Sequence, residues 1–143
     1  MGTKGFKAPE LEDFKPYTGE KVDIFAAAVM LFMILTKHPP FQSTEKSDNF
    51  YKLLRENKLH IFWKAHSRGK PDGFFSEEFI NLFSSLIAFD PEERPTIAQI
   101  RAHPWISAGP IATHEEIVIE FTQRKERMRP GVQKNLQKES DDE

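Results

Sequence analysis

Twelve consecutive apolar residues, Ile24 to Leu35, constrain this 143-residue chain more than any other feature. Coiled as a helix, such a run is hydrophobic around its whole circumference and needs protein on every side. It rises only about 18 Å, short of the roughly 20 residues needed to cross a bilayer. Pro39 and Pro40 follow almost at once and stop it. The run therefore predicts a buried central helix over residues 22–37 of a folded domain, not a membrane span.

The rest of the chain can supply part of such a core. Hydrophobic residues make up 38% of it, and thirteen are Phe. A net charge of −2 gives no bulk attraction to nucleic acid or to an anionic membrane. The absence of cysteine removes disulfides, thiolate metal sites and thiol nucleophiles. Met1-Gly2-Thr3-Lys4-Gly5-Phe6 lacks the apolar stretch of a secretory signal, and Phe6 stands where myristoylation needs Ser or Thr. An intracellular, cytoplasmic setting is expected.

Residues 1–19, with three glycines and two prolines, read as loop, with one helical turn around Pro9-Glu10-Leu11-Glu12. Ser47 or Asp48 caps a second helix (48–57) whose apolar residues are Phe50, Leu53 and Leu54. Residues 58–74 are expected to be irregular. Ser76 caps a third helix presenting Phe79, Ile80, Phe83, Leu86 and Ile87. Thr96-Ile97-Ala98-Gln99 is a capping box opening a fourth helix that Pro104 ends, after which Trp105 and Ile106 pack back on the core. Thr113-His114-Glu115-Glu116 opens a fifth, carrying Ile117, Phe121 and Met128 on one face. The polar end at 131–143 reads as disordered. The architecture is mainly α, with no credible strand.

Residues that do chemistry are sparse. The five histidines lie at 38, 60, 66, 103 and 114 and make neither His-x₃-His nor His-Glu-x-x-His, so no metal site is expected. Paired acids at 92–93, 115–116 and 141–142 read as helix starts or solvated charge. The basic run within 124–129 belongs to a segment, 115–129, that balances four acids against four bases. That balance argues against a calcium-sensor target helix, which is usually basic. The seven glycines form neither Gly-x-Gly-x-x-Gly nor Gly-x₄-Gly-Lys-Ser/Thr, so nothing cradles phosphate.

Three segments taken together resemble the serine/threonine protein kinases. Gly2-Thr3-Lys4-Gly5-Phe6-Lys7-Ala8-Pro9-Glu10 is similar to the Gly-Thr-x-x-Tyr-x-Ala-Pro-Glu close of the activation segment. Val22-Asp23-Ile24-Phe25-Ala26-Ala27-Ala28-Val29 resembles the start of the central C-lobe helix. Asp90-Pro91-Glu92-Glu93-Arg94-Pro95, then His103-Pro104-Trp105, resembles the Asp-Pro-x-x-Arg and His-Pro-Trp/Tyr end of the lobe. The Lys-His-Pro-Pro-Phe turn and the His-Pro-Trp ending lean toward the calcium/calmodulin-dependent-kinase-like group. Phe6 in place of Tyr and Ala28 in place of Gly are mild departures.

The resemblance implies the helical C-lobe portion of the kinase fold over 1–108, a helical extension over 109–130 and a tail over 131–143. It implies a buried ion pair between Glu10 and Arg94, and a supporting contact from Thr3 to the catalytic Asp and Lys. Gly2, Thr3, Gly5 and Phe6 would shape a substrate floor, and Asp23 would accept hydrogen bonds from the catalytic loop. On the residues alone, Asp23 reads equally as a helix cap. A protein substrate would be met by residues 2–7 and by the helix at 48–57.

The β-rich N-lobe, Gly-rich loop, strand lysine, His-Arg-Asp loop and Asp-Phe-Gly magnesium ligand are absent. Asp13-Phe14-Lys15 does not replace the last, because it follows Ala-Pro-Glu. In the family those elements precede this segment, so Met1 is expected to be an internal methionine of a longer kinase. The parent would use ATP and Mg to phosphorylate protein Ser or Thr, while this chain would hold no cofactor and should be inactive alone. The alternative is a genuine short, non-catalytic docking or regulatory module. Either way, missing kinase elements or another protein must cover residues 24–35. Four or five uncovered large side chains there would forgo about 10 kcal/mol.

Overall fold

A computed structural model describes residues 4–11 and 16–127; Gly2, Thr3, Asp13, Phe14, Lys15, Met128 and the tail at 131–143 lie outside them. Two short 3₁₀ turns, Lys4–Phe6 and Pro9–Leu11, precede seven α-helices among the described residues. These are α1 (Gly19–Thr36), α2 (Asn49–Arg55), α3 (Leu59–His66), α4 (Glu77–Leu86), α5 (Ile97–Ala102), α6 (Pro104–Ser107) and α7 (His114–Arg127). A third 3₁₀ turn, Pro91–Glu93, separates α4 from α5. No strand occurs among the described residues. The contacts divide the chain into two units, 1–108 and 109–143.

The first unit is built on α1. Phe25, Ala28, Val29, Phe32 and Thr36 are buried, at the spacing of one helical face. Phe32 is the centre of an aromatic core. Its ring lies 5.0 Å from Phe83 of α4, 5.9 Å from Phe75 and 6.2 Å from Phe62 of α3. Ring pairs at these separations add attraction beyond their area, and here they bind α1, α3 and α4 together. Helix α1 ends at Thr36, whose hydroxyl donates to the Phe32 carbonyl at 2.8 Å. Lys37 then turns the chain in the left-handed region, at φ 66°.

Side-chain caps fix several of the other helix starts. Asp48 accepts from the amides of Phe50 and Tyr51, and Ser76 from that of Phe79. Thr96 and Gln99 form a reciprocal capping box. In the second unit Thr113 and Glu116 do the same for α7, with Glu116 Oε2 accepting from the Thr113 amide at 2.7 Å.

Several expectations are corrected. The segment 58–74 is not wholly irregular: Leu59–His66 is helix α3, and Leu59, Phe62, Trp63 and His66 face inward at helical spacing. On α2 the buried residue is Tyr51, whereas Phe50 is 39% exposed. The fourth helix is two, because Pro104 starts α6 rather than simply ending α5. The apolar residues of α7 are exposed, Phe121 at 65%.

The central helix is covered on one side, not on all. Met30 is 55% exposed, Ile34 76% and Leu35 37%, while Leu31 and Met33 are half-buried. The uncovered large residues are fewer than expected, and together expose less than two full side chains. The burial forgone is accordingly nearer 3–5 kcal/mol than 10.

Candidate functional site

Arg94 anchors the segment before α1 to the loop before α5. Its side chain is fully buried, and a buried guanidinium has to have its donors met. Nη1 and Nη2 donate to Glu10 Oε1 and Oε2 at 2.7 and 2.8 Å, the two-pronged geometry that suits a planar fork. Nε donates to the Ala88 carbonyl at 2.9 Å, and Nη1 also to the Lys21 carbonyl at 2.9 Å. The guanidinium sits 4.9 Å from the centre of the Phe25 ring, a cation–π stack. Lys21 Nζ returns a hydrogen bond to the Arg94 carbonyl. One side chain thus joins the 3₁₀ turn at Pro9–Leu11, the first turn of α1 and the exit of α4.

That anchor holds the preceding loop against the turn after α1. Thr44 Oγ1 donates to the Lys7 carbonyl at 3.0 Å. A Cβ on Gly5 would stand 3.3 Å from the Gln42 carbonyl oxygen, a tight contact that would require the neighbouring backbone to give by a few tenths of an ångström. Phe6 is half-buried against the core. Gly5 thus lies against the 41–42 backbone and Phe6 against the core, while Gly2 and Thr3, which belong to the same motif, lie outside the described residues.

Asp23 is exposed and is not brought to Glu10 or Arg94 by any hydrogen bond among the described residues. It lines a cavity of about 640 Å³ whose walls are almost wholly apolar, including Ala27 and Leu31 of α1, Leu86 of α4 and Ile100 of α5. Asp23, Ala27, Met30 and Ile34 are all exposed and follow one another by four, three and four residues. They form one stripe of α1.

His66 is a polar residue whose place the sequence did not reveal. It is buried between Phe62, at 4.4 Å ring to ring, and Phe32, at 4.9 Å, and Nε2 lies 3.1 Å from the Pro40 carbonyl. Burial pushes its pKa down to about 4, against the pull of that carbonyl and with a smaller push from His38. It is a neutral core histidine donating from Nε2. Among the described residues no group of three or more His, Asp or Glu is placed to hold a metal.

Comparison with known proteins accords with this frame. Residues 1–106 match the family model described as the protein kinase domain. Sperm motility kinase 2B of Mus musculus is 32% identical over 108 residues, which is 76% of this chain and 20% of that protein. Calcium/calmodulin-dependent protein kinase type 1 of Caenorhabditis elegans is 30% identical over 116 residues, 80% of this chain and 30% of that protein. The solved structure of the Rad53 kinase domain and SCD2 superposes with a TM-score of 0.54 at 27% identity, covering 76% of this chain and 37% of that one. A helical frame of this kind, closed by a buried Glu–Arg pair, defines the C-lobe portion of a kinase. The chain belongs to the protein kinase domain family. It spans about a fifth to a third of the length of these curated relatives.

The Glu10–Arg94 pair is direct and buried. What the motifs did not carry are Lys21, Ala88 and Phe25 as further partners of Arg94. Two of these act through backbone carbonyls, which carry no sequence signal.

Proposed function

We propose that this chain is the substrate-side, non-transferring part of a serine/threonine protein kinase, in which a separate stretch of polypeptide supplies ATP, Mg and phosphoryl-transfer chemistry. The complete kinase would move the ATP γ-phosphoryl group to a protein Ser or Thr hydroxyl, and this chain would present part of the floor that receives the substrate. The observation that carries the reading is the open stripe of α1. Asp23 begins it and Met30 and Ile34 continue it, so one face asks at once for hydrogen-bond donors and for apolar cover. A catalytic loop and the helix before it would supply both. The phosphate-cradling, magnesium-binding and proton-accepting residues that transfer requires are absent from the sequence. Incubation with γ-labelled ATP, Mg and a mixed Ser/Thr substrate should give no transfer, and ATP titration no heat. Transfer above a no-protein blank would refute the assignment.

A second reading, a self-standing docking or regulatory module, is favoured by the loop at 5–8. It is held on the 41–44 turn and by Arg94 without help from any other kinase element. Coding sequence upstream of Met1 separates the two. In-frame Asp-Phe-Gly and His-Arg-Asp codons support a kinase portion, and a stop codon shortly upstream supports the module.

A further inference from the structure

The first unit holds a second cleft, of about 450 Å³, between the turn after α1 and the exit of α3. It is lined by the apolar Pro39, Phe41 and Phe50 and by the cations Arg68 and Lys70, with His38 beside them. No carboxylate lines it. Asp48 at the start of α2 spends both oxygens on the amides of Gln42, Ser43, Phe50 and Tyr51.

Two features of this cleft are unusual for a surface that meets only water. Phe50 is 39% exposed, yet its ring is set 4.8 Å from that of His66 and edge-on to Phe62 at 6.4 Å. An aromatic held rigid while exposed loses little freedom on being covered, which is how anchor residues behave. Arg68 makes no side-chain hydrogen bond or ion pair among the described residues. The turn carrying it is fixed: Gly69 adopts φ 75° and the Lys70 amide donates to the Ser67 carbonyl at 3.0 Å. An unengaged guanidinium carried on a fixed turn, in the same cleft as a packed aromatic, suits a carboxylate next to an apolar side chain.

We propose that this cleft docks an acidic peptide segment of a partner protein, with carboxylates on Arg68 and Lys70 and an aromatic or aliphatic side chain on Phe50 and Pro39. The assignment does not depend on whether the chain belongs to a working kinase. Lys70 Nζ also lies 4.9 Å from the centre of the Phe74 ring, a cation–π contact. The cleft volume matches a site for two or three side chains rather than a whole domain.

The test is fluorescence anisotropy of the full chain with a fluorescein-labelled peptide, Gly-Glu-Phe-Glu-Asp-Phe-Glu-Gly, and a counterpart in which Gln and Asn replace the acids. The acidic peptide should bind and the neutral one should bind at least about tenfold more weakly. Arg68→Glu/Lys70→Glu should weaken binding by about tenfold or more, and Phe50→Ala by a similar factor. Arg101→Glu/Lys125→Glu, the same charge change elsewhere, should alter it less than about twofold. Circular dichroism checks each fold, and Arg68→Gln/Lys70→Gln replaces the reversal if that variant does not fold. Equal binding of both peptides, or insensitivity to the Arg68 and Lys70 changes, overturns the proposal. Equal displacement by an oligonucleotide of the same charge also overturns it, because it marks a general polyanion surface.

Discussion

Replacing Glu10 by Gln tests the anchor with the least change of shape. The pair is nearly solvent-free, with the Arg94 side chain at 0% exposure and that of Glu10 at 6%. Gln keeps one carbonyl acceptor, but the guanidinium keeps its charge with only neutral partners, the Gln amide and the carbonyls of Ala88 and Lys21. Stranding a buried charge in this way costs about 3–5 kcal/mol, a large share of the 5–15 kcal/mol that holds an ordinary domain together. Glu10→Leu/Arg94→Met removes both charges, so the double variant should lose less than either single one. Its residual cost comes from two carbonyls that each lose a donor, about 1 kcal/mol apiece. Trp63 is buried among Phe62, Phe75 and Phe83 and reports unfolding by its fluorescence in urea. All variants are compared at one protein concentration. A Glu10→Gln cost below about 1 kcal/mol, the level of an exposed ion pair, would refute the reasoning.

Two further outcomes follow from single residues. The His66 pKa is pushed below its unfolded value of 6.5 to about 4, so the folded state prefers the neutral ring. The stability this gives is fully present above pH 6.5 and is lost as pH falls toward 4, by at most about 1.4 kcal/mol per pH unit. Urea midpoints of the wild type should therefore fall more steeply over that window than those of His66→Phe, and equal slopes would contradict it. Thr96→Ala removes the hydroxyl that accepts from the Gln99 amide at 3.3 Å, while the Gln99 side chain still accepts from the residue-96 amide. A loss of about 1 kcal/mol is expected in the same assay, and no loss would mean that the box is redundant.

What could be read from the sequence was whatever short range decides. Ser76, Thr96 and Thr113 sit where their hydroxyls cap helices because capping needs only a few adjacent residues. The Glu10–Arg94 pairing, 84 positions apart, was reachable only through the motifs around each residue. Helix α3 was missed because its fourth inward position is His66, which breaks an otherwise apolar pattern, and because Ile61-Phe62-Trp63 has a strand-like composition. On α2, Phe50 and Tyr51 are both aromatic, and which one turns inward is decided by packing on Phe41, 5.1 Å from the Tyr51 ring. The one-sided cover of α1 could not be read from its residues. An evenly apolar helix gives no preferred face, and the buried side was chosen by where α3 and α4 lie.

Sedimentation of the isolated chain at rising concentration, read with a dye that fluoresces on apolar surface, tests the incomplete cover of α1 most directly. The account predicts dye binding and a mass that grows with concentration, both reduced by Ile34→Lys, which places a charge on the more exposed of the two large apolar residues of the stripe. A dye-silent monomer with a sharp two-state melt, unchanged by Ile34→Lys, would contradict it.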